Sequence, residues 1–304
     1  MTVNTVSLIG LGALGIMYGH QMAKHMPHEN LRIIADKDRI DRYEREHILC
    51  NGETCDFHYI MPEEGCAPAD LLIFAVKFNS LSDAVIAVKN HVGPETVIIS
   101  LLNGISSEAV IGQTYGSQKV LDCVAQGMDS VKEGNKLTYS NMGILCIGEK
   151  DVTPKTASAA EFFKRTEIPY IIDNDMKKRM WGKFMLNVGV NQTVAVYESN
   201  YGEIQKDGPA RDLMTAAMRE VLVLSEKEGV NLTENDLNYW LGVLKPLNPL
   251  LKPSMRQDLE AKRCSEVELF SGTVISLGKK HGIPTPVNKE LYERIKAIES
   301  KFIS

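Results

Sequence analysis

The feature that most restricts the fold is a glycine motif near the start of the chain. Residues 5–9 form a short, β-branched apolar segment that leads directly into a GxGxxG motif, and a helical pattern follows to about His25. A strand, a GxGxxG turn and a helix in this order form the dinucleotide-binding unit of a Rossmann-type sheet, in which backbone N–H groups bind the pyrophosphate. The motif therefore predicts cofactor contacts from Gly10, Leu11, Gly12, Ala13, Leu14 and Gly15.

The end of the second strand bears on which dinucleotide is bound. Residues 31–35 predict this strand, and Asp36 follows it, roughly 20 residues after the glycine motif, where an acid that binds the adenosine ribose hydroxyls is expected. Asp36 therefore favours NAD(H). Lys37 and Arg39 come immediately afterwards and either could pair with a 2'-phosphate, so the choice between NAD(H) and NADP(H) stays open. The alternative role for Asp36 is the N-cap of the next helix.

Two apolar segments bring polar residues to one edge of the predicted sheet. Residues 70–76 and 96–102 are almost continuously apolar, which is typical of parallel strands buried on both faces. Lys77 follows the first segment, and Asn103 follows the second. Ligands of doubly wound sheets bind at the carboxyl ends of the strands, so we expect Lys77 and Asn103 near the nicotinamide end of the cofactor and the substrate.

The alternation of strands and helices ends near residue 174. With 304 residues, the chain is long enough for two domains. We predict an α/β fold, with a Rossmann-type doubly wound domain over residues 1–174 and an all-helical domain over residues 175–304. The remaining strands of the first domain are predicted at residues 119–125, 137–147 and 169–172, with a helix at 154–166.

Polar residues recur at helical spacing in the first segment of the second domain. Residues 176–197 are mostly apolar, yet Lys183, Asn187 and Asn191 are four residues apart, which places them on one face of a helix. A buried ammonium group is costly unless something nearby needs it. One interpretation is that the Lys183 side chain reaches solvent and the amides bridge neighbouring helices. The other is a ligand site that holds and protonates a small, oxygen-rich substrate.

The rest of the second domain is predicted to be helical. Residues 209–228 have apolar side chains at helical spacing and stop before Gly229. Ser254 and Gln257 fit a capping box that would open a long helix running to Gly282, and a last helix is predicted at 289–302. A hydroxyl at an exposed helix N-terminus, such as that of Ser254, also attracts a carboxylate.

Two acidic residues further along are candidates for an active-site carboxylate. Glu266 and Glu268 have the apolar neighbours Val267, Leu269 and Phe270. Either carboxylate could be a buried partner of Lys183 or could lie on a solvated helix face. The spacing alone does not separate the two.

Composition excludes several classes of function. The formal net charge is −5, so the overall charge does not indicate binding to nucleic acid or to an anionic membrane. No apolar run is long enough to span a bilayer, and the N-terminal residues predict a strand rather than a signal peptide, so we expect a cytoplasmic protein. The six cysteines include no CxxC pair, and we predict reduced structural thiols and no metal site.

Several of these segments, in the same order, resemble the ketopantoate reductase (2-dehydropantoate 2-reductase) family, and the resemblance extends over essentially the whole chain. It implies a Rossmann-type domain followed by a helical domain similar to the C-terminal domain of 6-phosphogluconate dehydrogenase. The matching segments are GLGALG at 10–15, Lys77, LLNG at 101–104, KFMLN at 183–187, PSMRQD at 253–258, SEVE at 265–268 and HGIPTPVN at 281–288.

The resemblance also implies an activity and roles for single residues. The activity is reduction of ketopantoate, a 2-keto acid, to pantoate with NAD(P)H, and the family suggests NADP(H). Lys183 would be the general acid and Glu266, rather than Glu268, the active-site carboxylate. Lys77 and Asn103 would border the nicotinamide and the substrate. The substrate would be bound by Asn103, Asn187, Asn191 and Ser254.

One position departs from the family pattern. NADPH-using members typically have Arg where this sequence has Asp36. This departure raises the alternative of an NAD-dependent D-2-hydroxyacid (mandelate-type) dehydrogenase of the same family. A second alternative, of a different class, is a dinucleotide sensor without catalysis, and the row of Lys183, Asn187 and Asn191 argues against it. A helical second domain is also compatible with a homodimer.

Overall fold

The computed structural model describes residues 2–302. The chain divides into two compact units, Met1–Met176 and Lys177–Ser304, and each is described by itself. None of the helices within residues 2–302 is long and apolar enough to cross a membrane. The six cysteines are all free, and only Cys264 is fully exposed.

The first unit is built on a five-stranded parallel sheet. Strand β1 is central, with β2 on one side and β6 on the other, so the chain reverses its direction of sheet growth at β1. In doubly wound sheets this reversal creates the ligand-binding crevice. The strand order is β5-β2-β1-β6-β7, with β1 at Val6–Ile9, β2 at Leu31–Ile34, β5 at His58–Ile60, β6 at Leu71–Phe74 and β7 at Val97–Ser100.

Both faces of this sheet are buried, because successive side chains of a strand point to opposite faces and most of them are apolar along the central strands. Leu8, Ile33 and Ile73 belong to one core cluster, whereas Ile9 and Ile34, their neighbours in sequence, belong to another. The helices of this unit are α1 at Ala13–Ala23, α2 at Lys37–Glu46, α3 at Leu81–Ala87, α4 at Ser107–Tyr115 and α5 at Pro154–Arg165.

Two smaller sheets complete the first unit, and here two predicted strands were wrong in extent. Residues Ser117–Lys119 form a 3₁₀ turn, so the strand predicted from residue 119 begins at Asp122. The strand predicted at 137–147 is interrupted by a turn that includes Gly143 at φ 68°. The strands are β3 at Leu49–Cys50, β4 at Glu53–Thr54, β8 at Asp122–Gln126, β9 at Val131–Glu133, β10 at Lys136–Thr138, β11 at Ile144–Gly148 and β12 at Tyr170–Ile172.

In the second unit, residues 177–302 contain helices and loops, and no strand occurs among them. The α/β class, with a parallel N-terminal sheet and a helical C-terminal part, is confirmed. The elements are α6 at Met176–Val196, α7 at Tyr201–Gln205, α8 at Pro209–Lys227, α9 at Glu234–Leu244, α10 at Ser254–Glu260, a π-helix at Glu268–Gly272, α11 at Thr273–His281 and α12 at Pro286–Glu299.

The long helix predicted from Ser254 to Gly282 is wrong. Helix α10 ends after seven residues, and the chain then turns through Lys262, which has φ 54°, a conformation that a helix does not contain. The side chain of Arg263 folds back to donate to Asp258 Oδ1 at 3.0 Å. Helical structure resumes at the π-helix and ends, as predicted, at Gly282 with φ 68°. The last helix begins at Pro286, three residues earlier than predicted.

Candidate active site

The glycine turn after β1 is imposed by close contact with the backbone that follows strand β6 and by contact within the turn itself. Gly10 has φ 101°, and a Cβ atom placed on it would lie 2.7 Å from the backbone of Ala75 and Val76. A Cβ atom on Gly15 would lie 1.9 Å from the carbonyl oxygen of Gly10. Both distances are far below van der Waals contact, so the protein itself requires glycine at these two positions.

Gly12 differs from the other two glycines, because little in the protein opposes a side chain there. A Cβ atom on Gly12 would meet only the Ala75 carbonyl oxygen, at 3.5 Å, an ordinary contact. Gly12 is exposed and is the N-cap of α1, with no side chain capping the helix. The first helical bond runs from Ile16 N–H to the Gly12 carbonyl at 3.0 Å, so the N–H groups of residues 13–15 precede the helical ladder. This exposed N-terminus, which no side chain caps, fits a pyrophosphate.

The ends of the next two strands lie along the same edge of the sheet as the glycine turn. β6 and β7 are parallel neighbours, and Phe74 is aligned with Ser100. Lys77 lies three residues after Phe74, and Asn103 lies three residues after Ser100. Lys77 is also the N-cap of a short 3₁₀ helix. The parallel order β1-β6-β7 thus brings the glycine turn and these two strand ends to one edge.

Asp36 is the N-cap of α2, which was the alternative role considered for it. Its Oδ1 atom accepts from the backbone N–H of Arg39 at 2.8 Å, and the Arg39 Nε atom lies 3.4 Å from Asp36 Oδ2. The Lys37 ammonium group is 3.3 Å from the carboxylate of Asp41. More than half of the Asp36 side chain is exposed. Capping therefore leaves the carboxylate accessible, and both basic neighbours have carboxylate partners.

In the second unit, the three predicted polar residues lie on α6 as expected from their spacing. Lys183 and Asn187 are half-buried, and Asn191 is 6% exposed. The Nδ2 atom of Asn191 donates to Oδ1 of Asn187 at 3.4 Å, a long hydrogen bond along the helix face. The α6 sequence therefore holds one ammonium and two amides in a row on a mostly apolar helix.

Ser254 contacts this row directly. Its hydroxyl donates to Oδ1 of Asn191 at 3.4 Å, and the backbone N–H of Met255 lies 3.5 Å from the same oxygen. The predicted capping box at Ser254 is wrong: Pro253 is the N-cap and no side chain caps the helix. The Ser254 hydroxyl faces α6 instead. The structure thus brings together Asn187, Asn191 and Ser254.

The structure distinguishes the two acidic candidates. Glu268 is exposed, and its Oε1 atom accepts from the Tyr292 hydroxyl at 2.6 Å and lies 3.8 Å from the Lys296 ammonium. Glu266 is half-buried and precedes the π-helix, where its carbonyl oxygen accepts from the N–H of Phe270. Glu268 therefore belongs to the solvated surface, and Glu266 is the carboxylate in the more sheltered environment.

Sequence reasoning missed a buried polar cluster beside this site, formed by Gln192, Ser271 and Asn288. All three are fully buried and hydrogen bonded to one another. The available signal was weak: Gln192 directly follows Asn191 within an apolar helix, where a buried amide needs partners. Among residues 2–302, no group of three or more His, Cys, Asp or Glu side chains is arranged to hold a metal ion.

We expect Gly12→Ala to weaken dinucleotide binding about tenfold or more while the thermal midpoint stays close to wild type. The added methyl group has room in the protein but lies where the phosphate would approach the helix N-terminus. Fluorescence titration with NADH and with NADPH measures the change. Gly65→Ala is the control, because no atom lies within 4 Å of its added Cβ. Wild-type affinity in Gly12→Ala would exclude this turn as the phosphate site.

Comparison with known proteins identifies the family. Two family models match the chain: "Ketopantoate reductase PanE/ApbA" over residues 6–151 and "Ketopantoate reductase PanE/ApbA C terminal" over residues 175–299. The curated 2-dehydropantoate 2-reductase of Streptococcus pyogenes serotype M6 is 25% identical over 303 residues, which cover 97% of this chain and 98% of the relative.

Two solved structures have the same fold. A PanE/ApbA family ketopantoate reductase from Ralstonia eutropha JMP134 is 23% identical with a TM-score of 0.84, over 98% of this chain and 99% of that one. D-mandelate dehydrogenase with NADH and anilino(oxo)acetate is 20% identical with a TM-score of 0.86, over 98% and 99% of the two chains.

The two family models cover both the sheet with the glycine turn and the helices with the polar row. The protein is an NAD(P)-dependent oxidoreductase that acts on a CH-OH group. The chain belongs to the ketopantoate reductase family.

Proposed function

We propose that the protein reduces 2-dehydropantoate to pantoate, with hydride added to C2 of the keto acid. The observation that carries the proposal is the polar row on α6, in which Lys183 precedes Asn187 and Asn191 at one-turn intervals and Ser254 contacts the last of them. An ammonium beside several neutral hydrogen-bonding groups suits a small substrate with a ketone, a carboxylate and a hydroxyl. The name of the curated relatives supports the choice of substrate.

Lys183 is the proton donor in this proposal. Bound nicotinamide cofactor would supply the hydride, held by the glycine turn together with Asp36, Lys77 and Asn103. As the ketone becomes an alkoxide, negative charge develops on its oxygen. The Lys183 ammonium stabilises that charge and transfers one proton to it, giving the 2-hydroxy acid and a neutral amine.

The remaining polar groups orient the substrate. The side-chain amides of Asn187 and Asn191, which are hydrogen bonded to each other, would orient the substrate oxygens. The Ser254 hydroxyl would bind the carboxylate or a hydroxyl of the substrate. Glu266, half-buried before the π-helix, would hold the Lys183 ammonium or a substrate hydroxyl.

The second candidate is a D-2-hydroxyacid dehydrogenase of the mandelate type. It is favoured by the fold shared with D-mandelate dehydrogenase and by Asp36 at the end of β2. The chemistry at Lys183 is the same in both candidates, so only the substrate decides between them.

Steady-state oxidation of NADH and NADPH with ketopantoate and with benzoylformate tests the proposal. We expect turnover with ketopantoate and a kcat/KM at least about tenfold lower with benzoylformate, a difference of about 1.4 kcal/mol in transition-state binding. The reverse preference would establish the mandelate-type activity. Cofactor binding without turnover of any 2-keto acid would contradict both candidates and indicate a dinucleotide sensor.

Lys183→Ala is expected to lower kcat by roughly 10²–10⁴-fold, the usual contribution of a positioned general acid, with little change in cofactor affinity. The matched control is Lys177→Ala on the same helix, where the ammonium donates to the Glu228 carbonyl at 2.8 Å and lies on the surface. Rapid-mixing measurement of cofactor oxidation and a separate binding titration give the two quantities. Near-normal kcat in Lys183→Ala would refute the acid role.

We also propose that NADH is preferred to NADPH. The Asp36 carboxylate stays exposed while it caps α2, so it can accept from ribose hydroxyls and would repel a 2'-phosphate. Arg39 and Lys37, the cations that could bind that phosphate, are already paired with Asp36 and Asp41. The balance of charge at the end of β2 therefore favours the unphosphorylated cofactor.

Asp36→Asn separates this charge from the structural role of the residue. Asparagine caps helices about as well as aspartate, so α2 should remain intact. We expect the ratio of kcat/KM for NADPH to that for NADH to rise about tenfold, because repulsion of the 2'-phosphate is lost and Arg39 is released. Steady-state kinetics with both cofactors measures the ratio, and circular dichroism checks the fold. An unchanged ratio would show that Asp36 does not select the cofactor.

A further inference from the structure

A buried polar cluster connects the substrate-binding helix α6 to the π-helix. Gln192 follows Asn191 in sequence, and its Oε1 atom accepts from the Ser271 hydroxyl at 2.5 Å and from the Ser271 N–H at 3.2 Å. Its Nε2 atom donates to the Val188 carbonyl at 2.8 Å and to Asn288 Oδ1 at 3.2 Å. The amide oxygen and the amide nitrogen of Gln192 therefore both have hydrogen-bond partners, which hold the side chain in this conformation.

The same cluster is fixed from the other side by α8 and α12. The Glu220 carboxylate of α8 accepts from the backbone N–H groups of Val287 and Asn288 at 2.8 and 2.9 Å. It also accepts from Asn288 Nδ2 at 2.7 Å. Glu220 thereby satisfies the N-terminus of α12, where the residue at the N-cap, Thr285, makes no side-chain cap. Asn288 is held in one orientation, and it presents its oxygen to Gln192.

The π-helix places Ser271 in this cluster. The N–H of Gly272 donates to the carbonyl of Val267, five residues back, at 3.0 Å. In an α-helix this hydrogen bond spans four residues, so the wider π-helical turn changes which side chains face inward. π-helical turns of this kind often occur at functional sites. Here the π-helix begins at Glu268, two residues after Glu266, the carboxylate of the proposed site.

A second buried anchor lies on the other side of Glu266. The N–H and the hydroxyl of Ser265 both donate to Oε1 of Glu299 at 2.7 Å, and Glu299 is 2% exposed. The Lys296 ammonium is 3.1 Å from the other carboxylate oxygen of Glu299. Helix α12 thus holds the chain immediately before Glu266 through Glu299 and shortly after it through Asn288.

We propose that Ser265 and Ser271 are positioning residues for the reaction. They fix the segment between them, and therefore Glu266, relative to the polar row of α6, with Ser271 acting through Gln192. Neither serine touches the substrate in this proposal. The inference rests on the proposed function, because it assigns their effect to the geometry between Glu266 and the substrate-binding face of α6.

Alanine substitution at the two anchors tests the proposal, with a third buried serine as the control. We expect Ser271→Ala and Ser265→Ala each to lower kcat by about tenfold to hundredfold, because small misplacement of a catalytic group has effects of this size. The dissociation constant of the cofactor should stay unchanged. Ser225→Ala removes an equally buried hydroxyl, which donates to the Leu222 carbonyl at 2.7 Å within α8, and should leave kcat unchanged.

Thermal midpoints of all three variants separate positioning from stability. If the serines have a merely structural role, the thermal midpoint should fall by a similar amount in all three variants, and the folded fraction of each should have the wild-type kcat. This result would overturn the inference. A loss of kcat confined to the two anchor variants would support it. If either anchor variant does not fold, the other still tests the proposal.

The proposed function and this inference fail in different ways. A wild-type protein that reduces no 2-keto acid would remove the proposed function, and the inference with it. A wild-type protein that turns over ketopantoate, with anchor variants as active as Ser225→Ala, would leave the proposed function in place and remove the inference alone.

Discussion

A buried polar side chain on a helix is costly unless it has a hydrogen-bond partner, and α6 meets this requirement at two neighbouring residues. α6 carries Asn191 and Gln192 side by side, both buried. Asn191 meets Ser254 on one face, and Gln192 meets Ser271 and Asn288 on another. The first contact belongs to the proposed substrate site, and the second connects that helix to the rest of the unit. The proposed substrate site and the packing of the helix therefore depend on two adjacent residues of α6.

Much of the first unit could be predicted, because its signals are local. Continuous apolar runs predict parallel buried strands, and the glycine motif predicts the turn that follows β1. The predicted bounds are wrong at strands β8 and β10–β11, and the short strands β3, β4, β5 and β9 were not predicted. The wrong bounds occur where a 3₁₀ turn at Ser117–Lys119 or a left-handed glycine at Gly143 interrupts an apolar run. The apolar pattern alone does not reveal such interruptions. Directly after the 3₁₀ turn, Val120 forms a parallel bridge with Ile98, a residue distant in sequence.

The second unit was predicted less well around residues 254–282, for a physical reason. Helical spacing persists through this segment, so the pattern predicts one helix, but tertiary contacts divide it. The Ser254 hydroxyl donates to Asn191 instead of capping a helix. The Ser265 hydroxyl donates to Glu299 of α12. The polar row on α6 was predicted from its four-residue spacing alone. The neighbouring residue Gln192 was not predicted to have a role, because a single buried amide creates no periodic pattern in the sequence.

The anchoring of Glu266 by α12 has a consequence for synthesis of the protein. The parallel sheet of the first unit is complete once residue 100 has been made, so its strands can pair early while the ribosome is still adding residues. Glu266 is different, because both of its flanking anchors end on residues that are translated later, Asn288 and Glu299. A nascent chain that already has its cofactor turn would still lack a correctly placed carboxylate. Competence for binding a dinucleotide and competence for catalysis would then arise at different times during translation.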